Sequence, residues 1–208
     1  MEGMKKIGIT GAIGAGKSFA SSLLRGRGYA VLDADAKVHE LYRDCKDLRE
    51  ELEAAFGPEC LTAGGVDRKF FAGLIFGDAR ARERLEGIVY PYLTQAVRAF
   101  FDSPSGSVTG IEPPAGQSRF LEAALLSRVP EIVGMLDEIW IVDAPEGERL
   151  RRLEARGLER EDALRRIQDQ RGAFDESLFP GIRVRVLENA GDKSALERVV
   201  DSLLGGTV

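Results

Sequence analysis

The sequence is poor in several things, and each shortage closes off a class of function. Among 208 residues there are two cysteines, one histidine and one tryptophan, and the only asparagine is Asn189. Cys45 and Cys60 cannot build a disulfide framework or complete a cysteine-based zinc site, and both read as ordinary reduced thiols. The lone His39 excludes any catalytic scheme or metal centre that needs two imidazoles. Positive charge is in deficit: 29 Lys and Arg against 34 Asp and Glu leave a net charge of −5, which speaks against a dedicated nucleic-acid binder. No uncharged stretch approaches the ~18 apolar residues of a membrane span. Lys5–Lys6 followed by the apolar run Ile7–Gly16 superficially resembles a secretory leader. That run, however, is rich in glycine, lacks an A-x-A cleavage site near its end and stops at Lys17. The expectation is a cytoplasmic protein with no membrane partner.

What is there fits a globular chain. Hydrophobic residues make up 44 % and charged residues 30 %, against disorder, and a chain of this length buries about 70 % of its unfolded surface. Short apolar runs at Lys6–Thr10, Tyr29–Asp33, Arg119–Leu121, Glu138–Asp143 and Arg183–Leu187 read as strands. Helical periodicity covers Lys17–Arg25, Ala36–Phe56, Arg68–Asp102, Pro145–Ala155, Glu159–Ala173 and Lys193–Leu204. Alternation of the two predicts a three-layer α/β fold with a parallel sheet covered on both faces. The stretch from Ala36 to Asp102 is too long for one crossover and reads as an inserted helical substrate subdomain. The single domain would then comprise a core (1–35, 118–145, 174–208), an insert of about 36–102, a lid of about 146–173 and a flexible surface loop over 103–117. That loop region, Ser103–Ser118, holds three prolines and three glycines.

Gly11-Ala12-Ile13-Gly14-Ala15-Gly16-Lys17-Ser18 matches G-x-x-x-x-G-K-[ST] and sits between a β-leaning run and a helical one, the context the motif needs. Glycines let successive backbone N–H groups converge on one anion, and the following helix points its positive end at the same spot. Lys17 adds a mobile positive charge for the β- and γ-phosphates, and the Ser18 hydroxyl is a ligand for Mg²⁺. The segment is read as binding a nucleoside triphosphate, ATP, with Mg²⁺. A switch GTPase would carry N-K-x-D, but Asn189 stands in ENAG. A motor ATPase would carry a hydrophobic run ending in Asp-Glu, whereas Glu138–Asp143 is followed by Ala144. A small-molecule kinase remains.

Such a kinase needs carboxylates near the acceptor hydroxyl. Asp33-Ala34-Asp35 ends the second strand, and in an extended chain side chains two apart point the same way. Both would emerge at the carboxyl end of the sheet, where open α/β sheets bind ligands. One would accept the substrate proton and the other hold Mg²⁺; either could instead cap the next helix. Glu122 follows the third strand as a candidate metal or acceptor residue, or as an edge residue bonding backbone amides. Arg149, Arg152 and Arg156 share one helix face at i, i+3, i+7, suited to a closing lid that stabilises transferred phosphoryl charge or simply to pairing with Glu148, Glu154 and Glu161.

The run Ile9–Ser18 followed by Asp33-Ala34-Asp35 resembles the bacterial dephospho-CoA kinase family. Phe56-Gly57, Asp67-Arg68 and Ile75-Phe76 match its helical substrate subdomain. Glu122-Ala123-Ala124-Leu125-Leu126 stands where the family has an Asp-Val-Pro-Leu-Leu type segment. Arg152, Arg156, Arg166 and Gln170 fit its lid, and Asn189-Ala190-Gly191 fits the turn near its adenine pocket. The resemblance implies ATP-dependent phosphorylation of the ribose 3′-hydroxyl of dephospho-CoA, a small-molecule substrate, by a monomer or small homo-oligomer. It makes Asp35 the general base and wraps Gly14 to Phe19 around the triphosphate, with Arg152 and Arg156 closing over it. Phe19 in place of Thr, Tyr90-Pro91 in place of His-Pro, Glu122 in place of Asp and Arg128 after Leu-Leu depart from the family pattern and suggest a divergent branch. The rival readings are a kinase for a nucleoside, nucleotide or polyol, and a nucleotide-binding regulatory module without transfer activity.

Overall fold

The structure, a computed structural model, describes residues 4–75, 77–103, 117–191 and 193–205. Most of the expected 103–117 loop, and Phe76, lie outside the described residues. The chain divides into two compact units, Met1–Asp33 with Phe100–Val208, and Ala34–Ala99.

The first unit is built on β1 (Lys6–Gly11), β2 (Val31–Asp33), β5 (Arg119–Glu122), β6 (Glu138–Asp143) and β7 (Arg183–Glu188), ordered β2-β5-β1-β6-β7 and parallel throughout. The inner strands are near-continuous apolar runs, as a sheet covered on both faces requires: Ile7 and Ile9 of β1 and Ile139, Trp140, Ile141 and Val142 of β6 are all buried. Where charge enters the sheet it is met by an opposite charge or by carbonyl acceptors, because a buried charge without polar partners is prohibitive. The buried Arg119 guanidinium donates to the carbonyls of Phe100 (2.5 Å), Phe101 (2.9 Å) and Ser103, a cation on carbonyls at the C-terminal end of a helix. Buried Glu138 accepts from Trp140 Nε1 at 2.8 Å and from Arg185 Nε at 2.5 Å.

Helix α1 (Lys17–Gly26) buries Ala20, Ser21 and Leu24, and its end is tied through Arg27 to Asp201 and Glu197 of α9 (Lys193–Gly205). The short α6 (Pro130–Val133) leads toward β6. The segment expected to form a lid is a pair of helices, α7 (Glu146–Glu154) and α8 (Arg160–Asp169), packed on Leu150, Leu153, Ala163 and Ile167, with Ile13 against them.

The second unit holds α2 (Ala34–Asp44), α3 (Lys46–Phe56), a hairpin of β3 (Leu61–Thr62) and β4 (Gly65–Val66), α4 (Arg68–Ile75) and most of α5 (Ala79–Asp102). Its core gathers Leu48, Leu52, Cys60, Val66, Phe71, Leu85 and Val89. The stretch 36–56, expected to be mostly helical, is two helices separated at Cys45, whose backbone is extended (φ −85, ψ 108).

Two local expectations are corrected. The chain does not stay extended through Asp33-Ala34-Asp35: β2 ends at Asp33 and α2 begins at Ala34, so strand parity does not align the two carboxylates. Nor do Arg149, Arg152 and Arg156 share one helix, because α7 ends at Glu154. Gly157, at φ +88, turns the chain and leaves Arg156 in the bend between α7 and α8.

Candidate active site

The site lies at the carboxyl ends of the central strands of the first unit. β1 runs into the glycine loop, and β5 and β2 end beside it: Ile9 is in register with Glu122, and Glu122 with Asp33. Neighbouring residues in parallel register present their side chains on the same face, so Glu122 and Asp33 form an acidic pair next to the loop.

The loop is closed by its own backbone, Ala15 N–H donating to the Ala12 carbonyl at 3.0 Å. Gly14 and Gly16 take φ +78 and +107, values that L side chains rarely adopt. Space demands glycine as well: a Cβ on Gly14 would lie 2.8 Å from the Arg149 carbonyl, and one on Gly16 2.2 Å from Asn189 Nδ2. The outcome is a nest in which the amides of Gly14, Gly16, Lys17 and Ser18 donate to no protein group among the described residues, at the N-terminus of α1.

Lys17 Nζ and Ser18 Oγ both meet Glu122 Oε1, at 3.0 and 2.9 Å, while Arg25 approaches the other carboxylate oxygen at 3.9 Å. Burial alone would raise the Glu122 carboxyl pKa. The charge and hydrogen bond of Lys17, with help from Ser18, outweigh it and hold the group below the ordinary carboxylate range. Glu122 is the last residue of β5, not one beyond the strand.

Asn189 and Arg152 work behind the loop. The Asn189 carboxamide donates to the Ala15 carbonyl at 2.7 Å, and its backbone N–H donates to Asp143 at 2.7 Å. Arg152 donates to the carbonyls of Gly14 (3.3 Å), Ala15 (3.2 Å) and Asn189 (2.9 Å). Its fork of donors is largely spent on backbone, so Arg152 props the loop. Arg156 is exposed and makes no ion pair among the described residues.

Two adjoining cavities follow. One, of about 230 Å³, is lined by loop residues Gly11 to Gly14, by Lys17, Ser18 and Ala124, and by Arg156 and Gln170. The other, of about 420 Å³, is lined by Phe19, Ala155, Asn189 and Gly191 with Arg151, Arg152 and Arg156. Gly16 and Arg156 border both. The structure thus brings together Gly11 to Phe19, Asp33, Glu122, Arg152, Arg156 and Asn189. Asp35 belongs to the second unit, in the first turn of α2. Gln170, whose Oε1 accepts from Ile13 N–H at 2.7 Å, had no role legible in the sequence beyond its fit to a family lid.

A parallel sheet with a glycine anion nest, a lysine and serine on a strand-end carboxylate, and a helix pair packed against the loop define a P-loop kinase. Among curated relatives, a dephospho-CoA kinase of Frankia casuarinae is 37 % identical over 96 % of this chain and 82 % of its own length. One from Thermus thermophilus is 37 % identical over 95 % and 89 %. A solved crystal structure from Thermus thermophilus, 35 % identical, superposes over the whole of both chains with a TM-score of 0.76. The family model described as dephospho-CoA kinase matches residues 5–179, and the chain belongs to the dephospho-CoA kinase family.

Proposed function

We propose that this protein transfers the γ-phosphoryl group of ATP to the ribose 3′-hydroxyl of dephospho-CoA, giving coenzyme A and ADP. The observation that carries the reading is the nest of unspent amides at Gly14, Gly16, Lys17 and Ser18, with Lys17 held 3.0 Å from Glu122, in a chain of this family. The 420 Å³ cavity receives the nucleoside end and the 230 Å³ cavity the phosphates. The acceptor oxygen attacks the γ-phosphorus as the bond to the bridging oxygen breaks, and ADP leaves with that electron pair. Asp35 takes the hydroxyl proton. Lys17 moves from Glu122 to the phosphates, and Arg156 neutralises charge from the lid side.

Ser18, Glu122 and Asp33 offer hard oxygen donors of the kind magnesium takes, alongside phosphate oxygens. Among the described residues no group of three or more His, Cys, Asp or Glu could hold a metal on its own. Bound there, Mg²⁺ would supply charge neutralisation between the phosphates. No helix among the described residues is long and apolar enough to cross a membrane. A net charge of −5 speaks against nucleic acid as a partner, and the reading is completed by work in the cytoplasm as a monomer or small homo-oligomer.

The test is ADP release with a panel of acceptors (dephospho-CoA, a nucleoside, a nucleotide, a polyol) and mass analysis of the product. Turnover with dephospho-CoA and a product heavier by one phosphoryl group is expected. Lys17→Ala should cut turnover by about 10²- to 10³-fold in folded protein, and Asp35→Asn should lower kcat far more than ATP affinity. Preference for another acceptor would overturn the substrate assignment, and ATP binding without turnover on any acceptor would favour the regulatory module.

A further inference from the structure

Gln170 stands at the C-cap of α8 and lines the 230 Å³ cavity together with Lys17, Ser18 and Arg156. Its Oε1 accepts from Ile13 N–H at 2.7 Å. A backbone amide only donates, so the orientation of this carboxamide is determined: the oxygen is spent on the loop, and Nε2 with its two N–H donors is turned away from it. Among the described residues no protein acceptor takes those donors. Ile13 is joined to the lid twice, through this bond and through its side chain against Leu150, Leu153, Ala163 and Ile167. Gln170 is therefore held on the loop in a fixed pose. It borders the cavity that carries Lys17 and Ser18 and is absent from the one formed by Phe19, Asn189 and Gly191.

We propose that Gln170 is a phosphate-binding residue of the triphosphate site: Ile13 fixes its carboxamide, and the Nε2 donors contact the terminal phosphoryl group. This rests on the ATP reading of the site. The lid then senses the phosphate farthest from the nucleoside, and the bond to Ile13 makes the lid's reading of that phosphate part of the loop itself.

The test compares Gln170→Glu with Gln170→Leu by calorimetry with ATP and with ADP, alongside hydrogen exchange at the Ile13 amide. A carboxylate still accepts from Ile13 N–H, so that amide should exchange as slowly in Gln170→Glu as in the wild type. The variant nevertheless exchanges two donors for a negative charge facing phosphate. Gln170→Glu should lose ATP affinity by at least about tenfold and more than Gln170→Leu, while ADP affinity changes by less than about threefold in both. An equal or smaller loss in Gln170→Glu than in Gln170→Leu would assign the residue to fastening the lid alone and overturn the proposal. So would an ADP loss as large as the ATP loss. A wild type that binds no ATP at all would instead bring down the functional reading, and this inference with it.

Discussion

Glu122 holds Lys17 and Ser18 with one oxygen. Because its pKa is depressed in the folded protein, its contribution to stability is complete above the ordinary carboxylate range and is lost as pH falls through the lower folded value. Thermal melts of wild type and Glu122→Gln should therefore differ by about 1.5–3 kcal/mol at pH 7 and converge only at pH values below that ordinary range. Convergence already near pH 5 would refute the depressed carboxylate. Asn189 illustrates what the sequence could and could not tell. Its being the only asparagine singled it out, and the family resemblance sent it to an adenine pocket, but nothing local announces that its carboxamide holds Ala15 from 174 residues away. Asn189→Ala should leave the Ala15 carbonyl without that donor and cost about 1–3 kcal/mol, read in melts, with a higher KM for ATP. Arg152 was legible as an arginine of the lid; its direction, toward backbone carbonyls, depends on where the helix ends.

At the scale of elements, the strands of the parallel sheet were readable to within two residues at either end: the inner ones are apolar runs because both faces are covered, and the edge strand β7 alternates arginine with valine. The β3–β4 hairpin was not: strands of two residues carry too little alternation to register. The break at Cys45 also escaped notice, since no glycine or proline marks it and the apolar periodicity of α2 runs on into α3. The α7–α8 hairpin depends on a small cluster in which Ile167 is fully buried. Ile167→Ala should cost about 2–5 kcal/mol locally and free Ile13 as well as α8. Exchange rates of amides in 150–170 should rise together with that of Ile13, and an effect confined to α8 would separate the loop from the helix pair.

For the whole molecule, the helical insertion was visible as a long run without strands, and the chain leaves the first unit after Asp33 and returns at Phe100. The split falls between the two aspartates of Asp33-Ala34-Asp35, so the proposed general base is carried by one unit and the proposed phosphate machinery by the other. Nucleotide held by the first unit should stabilise it by about 2.7 kcal/mol at a hundredfold excess over Kd, with exchange slowed at 11–19 and in α7 and α8. Lys17→Ala should abolish that shift at the same ATP concentration.

Trp140, the only indole in the chain, is 2 % exposed on β6, its ring 5.2 Å from that of Phe120 and its N–H on the Glu138 carboxylate. Tyr42, Tyr90 and Tyr92, three of the four tyrosines, belong to the second unit. Each unit therefore brings its own chromophore. Emission excited at the red edge follows the sheet around the glycine loop alone, while phenol absorbance weighs toward the helical insertion. A denaturant titration recorded in both colours would show, without any label, whether the two halves melt as one.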